Sequence, residues 1–422
     1  MTSQSEPASV SERLQAVLTP VLGPVDIEGL RRLSGGASRE TWSFAANGRA
    51  LILRRDPPGR PGLRGSMRLE ADAMRACERA GLAVPEVLVD DDGAQLGTAG
   101  LVMAHVPGET LARRILRDDE YATAREHLVD DLGRFLAGLH AIDPAEVPGA
   151  LDADSVTQSW AAYEQLDDDS PTFEKTYAWL RANRPARTAT TIVHGDLRLG
   201  NVIVDDDGLA AAIDWELVHV GDPLEDLGWL CVKAWRFGAP LEVAGVGTID
   251  QLVTAYEGAG GRPVDRDALH WWLVAKTLWW GIGCMGQAWA HLSGAVRSHE
   301  LAAIGRRVAE QEWDLIELLA PEEWQAAGAT PLPDPLPDVA GLYGRPTARE
   351  IIDAVRQYLT EDVMPGTSGR LSFHARVAAN MLGIVERELA QPPVAYAGDD
   401  WASLARAVHV KLAVANPKHL RG

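Results

Sequence analysis

The sequence predicts an α+β protein: a strand-rich first lobe, a mostly helical second lobe, and an all-helical unit at the C-terminal end. Three observations point there. Short alternating apolar runs and turn signals crowd residues 28–108. From about residue 110 apolar side chains recur at helical spacing, as in Leu132, Phe135, Leu136 and Leu139. Pro331, Pro333, Pro335 and Pro337 then mark a stiff, extended linker ahead of a last helical stretch.

Taken in order, residues 1–27 are a helical lead-in, with a helix over 11–23, and residues 26–33 run into the first strand. Ser34-Gly35-Gly36-Ala37-Ser38 is a turn of small residues. Trp42-Ser43-Phe44 alternates like a strand, Asn47-Gly48 is a hairpin signal, and Ala50 to Leu53 is the return strand. Residues 66–81 are helical, stopped at Gly81. Val87–Val89 and Leu101–Met103 are strands around the polar turn Asp90–Gly93, and Pro107-Gly108 ends the lobe. Within the second lobe, 109–326, short apolar runs at 191–193, 201–204 and 210–213 interrupt the helices. Residues 327–345 form the linker. The accessory unit, 346–422, holds helices near 347–359, 371–389 and 401–414.

A chain of 422 residues exceeds the roughly 100–200 of one domain, so more than one core is expected. Hydrophobic residues at 46% and charged residues at 24% exclude a disordered or collagen-like chain. No apolar run reaches the ~18 residues of a membrane span. Met1 to Arg13 lacks the apolar core of a signal peptide. The expectation is a cytoplasmic protein with no membrane partner. Cys77, Cys231 and Cys284 have no metal-ligand spacing and read as buried small hydrophobes.

The net charge of −20 argues against nucleic acid as a partner. The charge is uneven, however. Between Arg31 and Glu70 stand nine arginines against Glu40, Asp56 and Glu70, which suits an anionic ligand such as a phosphate tail. The chain has five lysines and none before Lys175, so a phosphate clamp in the first lobe must use arginine.

The chemistry lies in His194-Gly195-Asp196-Leu197-Arg198-Leu199-Gly200-Asn201, followed by Ala212-Ile213-Asp214-Trp215-Glu216. The pattern reads strand, polar loop, strand, turn, strand. The intervening hairpin would set Asn201 beside Asp214. An amide oxygen next to a carboxylate is a hard-oxygen site suited to Mg²⁺. A second carboxylate on the same loop can take a proton from a hydroxyl. Phosphoryl transfer needs these parts. Taken singly, each residue also reads as a turn residue or a helix cap.

These segments resemble the aminoglycoside phosphotransferase and choline kinase family over roughly 28–320. Leu33-Ser34-Gly35-Gly36, Ile52 to Gly59, Val102 to Gly108 and His291-Leu292-Ser293-Gly294 look most like the branch of kinases associated with acyl-CoA dehydrogenases. The resemblance implies a bilobal, protein-kinase-like fold using ATP and Mg. It implies Asp196 as catalytic base, grouped with Arg198 and Asn201, and Asn201 with Asp214 as metal ligands. His194 is implied to brace the loop. Met103 to Val106 would connect the lobes, the Ala104 carbonyl and Val106 amide meeting the adenine edge.

Small residues let backbone N–H groups approach phosphate, which nominates Gly35, Gly36 and Ser38. Protein kinases carry a lysine on the third strand, held by a helix glutamate. Here the matching strand ends in Leu53-Arg54, and Glu70 sits early in the next helix. Arg54 with Glu70 is the assignment. Arg55 stays open, because alternation with Leu51 and Leu53 turns it inward. Glu216, Lys276 and Trp280 are the candidates for acceptor binding. The acceptor is expected to be a small molecule with a hydroxyl group: a hydroxyacyl-CoA, or alternatively an aminoglycoside. A reading of a different class is an inactive nucleotide-binding scaffold. Gly369 to Asn380 and Lys411 to Pro417 resemble a small uncharacterised family found with such kinases. A docking or lid role, or a homodimer through residues 346–422, is expected of that unit.

Overall fold

The computed structural model describes residues 5–33, 39–57, 66–342 and 344–421. An antiparallel five-stranded sheet of order β1-β2-β3-β5-β4 builds the first lobe. Its strands are β1 (Ile27–Arg32), β2 (Glu40–Ala46), β3 (Arg49–Arg55), β4 (Val87–Asp91) and β5 (Gly100–Ala104). Helix α1 (Ser5–Leu22) precedes the sheet, and α2 (Met67–Arg79) lies between β3 and β4. Asn47 and Gly48 both take positive φ at the tight turn between β2 and β3, as the Asn-Gly pair demands.

Pairing across β2 and β3 sets Glu40 opposite Arg55, Trp42 opposite Leu53 and Phe44 opposite Leu51. All six therefore share one face of the sheet. That face packs on Val10, Leu14, Val17 and Leu18 of α1. Thr41, Ser43, Ile52 and Arg54 point the other way. Ser66 caps α2 through the Leu69 amide, and the helix runs to Arg79, with Gly81 just beyond its end in the left-handed region.

The chain resolves into two compact units: Met1–Ala153 with Ala186–Trp272, and Asp154–Pro185 with Leu273–Gly422. The remainder of the first unit holds α3 (Ala112–Arg117) and α4 (Ala122–Ala141). Helices α5 (Ser155–Tyr163) and α6 (Pro171–Ala182) belong to the second unit. The chain then re-enters the first. There β6 (Thr191–Val193) pairs with β9 (His219–Gly221), and β7 (Val202–Val204) with β8 (Leu209–Ala212). Helices α7 (Leu224–Cys231) and α8 (Ile249–Gly258) follow.

Helix α9 (Arg266–Leu292) starts in the first unit and ends in the second. The second unit continues with α10 (His299–Gly305), α11 (Val308–Leu319), α12 (Pro321–Gly328), α13 (Ala348–Gln357), the short α14 (Met364–Gly366), α15 (Gly369–Ala390) and α16 (Trp401–Ala415). Its core joins Ala309, Trp313 and Ile316 of α11 to Leu404, Val408 and Leu412 of α16. Helix α16, within the accessory unit expected from 346 onward, thus shares a core with residues ahead of the linker. The Pro-rich segment, expected as a stiff, extended linker, is hydrogen-bonded to residues that follow it. The Leu336 amide donates to the Ala390 carbonyl at 2.7 Å, and Arg349 donates to the Leu336 carbonyl at 3.1 Å. Proline keeps the segment extended, but its non-proline residues retain their hydrogen-bonding groups.

All three cysteines are buried, and burial pushes each thiol up to about 12. Among the described residues, no helix is long and apolar enough to cross a membrane.

Candidate active site

The loop after β6 is fixed from below by one buried carboxylate. Asp226, in α7, accepts the His194 amide at 2.8 Å and the Gly195 amide at 2.9 Å. It also accepts from His140 Nε2 at 3.3 Å, while Tyr256 bonds His140 Nδ1 at 3.0 Å. Burial alone pushes the Asp226 carboxyl up. The bond from His140, the nearby imidazoles and the amides override this and hold it below the usual range. Gly195 is required here: its φ is +80°, and a Cβ would lie 2.5 Å from the Leu217 carbonyl oxygen.

His194 is wholly buried. The Asp196 amide donates to its Nδ1 at 3.2 Å, which leaves Nε2 to donate to the Ile213 carbonyl at 3.1 Å. Burial pushes its pKa down, so it is a neutral brace between the loop and the strand end that carries Asp214.

Asp196 itself is held on both oxygens. Trp229 Nε1 and Arg198 Nε donate to Oδ1 at 2.9 and 3.2 Å, and Asn201 Nδ2 donates to Oδ2 at 2.7 Å. The Arg198 guanidinium lies 4.7 Å from the Trp235 ring centroid, a cation–π contact. Burial raises the Asp196 pKa above the ordinary value; Arg198 opposes and the Asp214 charge adds to the rise.

The Asn201 amide group also donates to the Asp196 backbone carbonyl at 2.9 Å, so its Oδ1 is the end turned to other duties. The Ile213 amide donates to the Asn201 carbonyl at 2.9 Å, which brings Asn201 alongside the residue before Asp214. Asp214 sits at φ +67°. Arg54 Nη2 donates to its Oδ1 at 2.6 Å. Burial pushes the Asp214 carboxyl up, but the Arg54 charge and hydrogen bond win and hold it below the usual range. Asn201 and Asp214 offer hard oxygen atoms of the kind Mg²⁺ prefers.

Arg54 spans the two walls, with Nη1 also 3.3 Å from Glu70 Oε2. Glu70 is 1% exposed and is held a second time by Arg39, which also bonds Asp56 at 3.3 Å. Burial and the neighbouring Arg54 charge lower the Arg39 pKa, while Glu216 and the aspartates raise it. Glu216 is half-buried. Arg55 lies on the opposite face of the sheet, bonded twice to Glu40 at 2.8 and 2.7 Å and 5.5 Å above the Trp42 ring.

Met103 and Ala104 end β5. The Ala104 amide bonds the Glu86 carbonyl, the His105 amide bonds the Ala50 carbonyl, and Val106 is half-buried. Gly35, Gly36 and Ser38 lie outside the described residues. Lys276 and Trp280 belong to the second unit. Lys276 is buried with its ammonium 5.2 Å from the Trp279 ring, and Arg307 lies over the Trp280 ring.

Several residues of this network escape the sequence reading, His140 and Tyr256 among them. Arg39 enters it only as one of nine arginines. Asp226 looks like an ordinary acidic residue in a first helical turn, and Trp229 and Trp235 look like core. Only the distance between Asp226 and the loop it holds, about thirty residues, hides a signal that a strand-then-helix return would have supplied.

Similar proteins carry related segments. Acyl-CoA dehydrogenase family member 10 of Mus musculus is 30% identical over 225 residues, covering 50% of this chain and 20% of its own length. Acyl-CoA dehydrogenase family member 11 of Gallus gallus is 25% identical over 403 residues, covering 88% of this chain and 49% of its own length. The chain therefore spans half or less of these relatives. Aminoglycoside 3'-phosphotransferase of Escherichia coli is 28% identical over 148 residues, 32% of this chain and 53% of that one. A choline/ethanolamine kinase family protein from Mesorhizobium loti shares the fold with a TM-score of 0.54 at 20% identity, over 75% of this chain and 97% of that one. Residues 365–406 match a domain of unknown function, DUF6285. The model of the phosphotransferase enzyme family matches residues 29–272, more than half of the chain, and the chain belongs to that family.

Proposed function

We propose that this protein transfers the γ-phosphoryl group of ATP to the hydroxyl group of a hydroxyacyl-CoA, with Asp196 as the base. The observation that carries the assignment is the tethering of Asp196 by Trp229, Arg198 and Asn201, in a loop whose bracing reaches the strand end at Asp214. A carboxylate held on both oxygens meets an incoming hydroxyl in a fixed orientation, which lowers the entropy cost of reaction. Burial makes it a stronger base than a carboxylate in water. The hydroxyl proton passes to Asp196 as the acceptor oxygen bonds phosphorus and the bond to ADP breaks.

Asn201 and Asp214 would hold Mg²⁺, which supplies neutralising charge to the phosphates when bound. Arg54, steadied by Glu70, would turn its guanidinium to the phosphate oxygens. Arginine holds phosphate bidentately and stays charged, so it can serve where a kinase uses lysine. The hydroxyacyl-CoA assignment rests on the likeness to the family member 11 relative over 88% of this chain.

The test is ADP formation with a panel of 4-hydroxyacyl-CoA thioesters and a panel of aminoglycosides, wild type against Asp196→Asn. Thioesters are expected to stimulate the wild type and leave the variant idle. Stimulation by aminoglycosides alone would overturn the acceptor. A variant as active as the wild type would overturn the base.

A further inference from the structure

We propose that His299, Glu300 and His374 form a binding site for a divalent transition metal of the Zn²⁺ type, made wholly within the second unit. His299 and Glu300 open α10, directly after its cap Ser298, and His374 lies in α15. His374 Nδ1 is 3.1 Å from His299 Nε2 and 3.0 Å from Glu300 Oε1. The three donor atoms all lie within 4.8 Å of one another. Two nitrogen ligands at ordinary Zn–N lengths stand about 3.3 Å apart across a tetrahedral ion, close to the spacing here. Two imidazoles and a carboxylate are the ligand set of an open zinc site, in contrast to the all-oxygen pair Asn201 and Asp214.

The surroundings fit that role. All three residues are half-buried, so solvent or a further ligand can complete the coordination. The Ser298 amide donates to His291 Nδ1 at 3.1 Å, which fixes the approach of the chain to α10. One group competes with the metal. Arg370 Nε donates to His374 Nε2 at 2.8 Å, which places the imidazole proton on Nδ1. A metal on Nδ1 requires the other tautomer: solvent takes the Nδ1 proton and returns one to Nε2, with no net change in the ring's protons, and Arg370, an exposed side chain, turns away.

The alternative is a plain trio of hydrogen-bonded side chains, and a metal titration separates the two. Tag-free full-length protein, stripped with a chelator, is titrated with Zn²⁺ against a chromophoric competitor. The expected result is about one ion per chain, with His299→Ala and His374→Ala each weakening binding by at least roughly 10–100-fold. Arg370→Ala is expected to bind at least as tightly as the wild type. Glu300→Gln keeps the side-chain shape at a half-buried helix start, so it serves if a histidine variant fails to fold, and weaker binding is expected there too. No uptake by the wild type, or wild-type affinity in the His299→Ala/His374→Ala pair or in Glu300→Gln, would overturn the proposal.

Discussion

At the scale of the residue, the decisive feature is a carboxylate whose pKa is raised by burial while its neighbour's is lowered. As the proposed base, Asp196 would act only when ionised. Its activity should therefore be present above its raised pKa and lost as pH falls through it, at a higher pH than an ordinary carboxylate near 3.9 would give. Arg198 pulls that pKa down, so Arg198→Ala is expected to move the acidic limb of kcat/KM upward in pH. A limb that stays put or moves down would refute the assignment of Asp196. Asp196→Asn should cost roughly 10²–10⁴-fold in rate while leaving the melting temperature near that of the wild type. The spacing of Asp196, Asn201 and Asp214 was legible in the sequence because one loop and one hairpin connect all three, whereas their partners Trp229 and Arg54 are distant in the chain. Asp226 was not, because its function is to accept two amides from a strand end that only tertiary folding brings to it. Its folded-state pKa lies below the ordinary value, so the stability it contributes is present above the unfolded value and lost as pH falls through the folded one. Asp226→Asn is expected to cost about 3–5 kcal/mol at neutral pH, since it removes one partner of a buried charged network. Urea unfolding of both proteins checks this, and the gap between them should shrink in acid.

At the scale of the element, the third strand divides its arginines between two tasks. Alternation along β3 is regular, and it places Arg55 with Leu51 and Leu53 as the periodicity indicates. The sequence does not say which face is covered by what. The apolar face meets α1, whereas the face bearing Arg54 meets Glu70 of α2 and Asp214. An arginine on the apolar face therefore needs a partner of its own, and Glu40, directly across the ladder, is that partner. The two positions should then respond differently. Arg54→Ala is expected to raise the KM for ATP by roughly 10–100-fold, the worth of a charge-assisted bond to phosphate, with a small change in stability. Arg55→Ala should leave that KM within a few-fold and cost roughly 1–3 kcal/mol, because Glu40 stays buried with the half-exposed Arg32, at 3.1 Å, as its cation. Steady-state kinetics and denaturant unfolding on the same two variants decide it. Equal KM values in both would remove Arg54 from the phosphate site.

At the scale of the whole molecule, the order of segments along the chain is not the order of cores. Residues 154–185 leave the first unit and join helices that begin more than a hundred residues later. A row of four prolines is a reliable local signal of an extended backbone, but it carries no information about which apolar faces meet across it. Leu404, Val408 and Leu412 recur at helical spacing, so an amphipathic helix was readable there. Their partners in α11 were not, since hydrophobic contact is nondirectional and any apolar stripe would answer. The polar ties are what make the pairing specific. Lys411 bonds Glu312 at 3.0 and 2.8 Å, Asn416 bonds Glu310 at 2.9 Å, and His419 bonds Asp314 at 2.7 Å. Each of those acids is buried on α11 and would lose its bond to the C-terminal segment; Glu310 would keep Arg307 at 3.0 Å and Glu312 would keep Ser170 at 2.8 Å. Leu412→Ala should therefore destabilise the protein by about 2–5 kcal/mol, the range for truncating a core leucine. Removing residues 401–422 should do more, because it exposes Trp313 and Ile316 and leaves three buried acids without those partners. Differential scanning calorimetry of the full chain and of the truncated one tests this. A truncated protein that melts cooperatively at the full-length temperature would mean that α11 and α12 hold their fold without α16, and that the shared core contributes little to it.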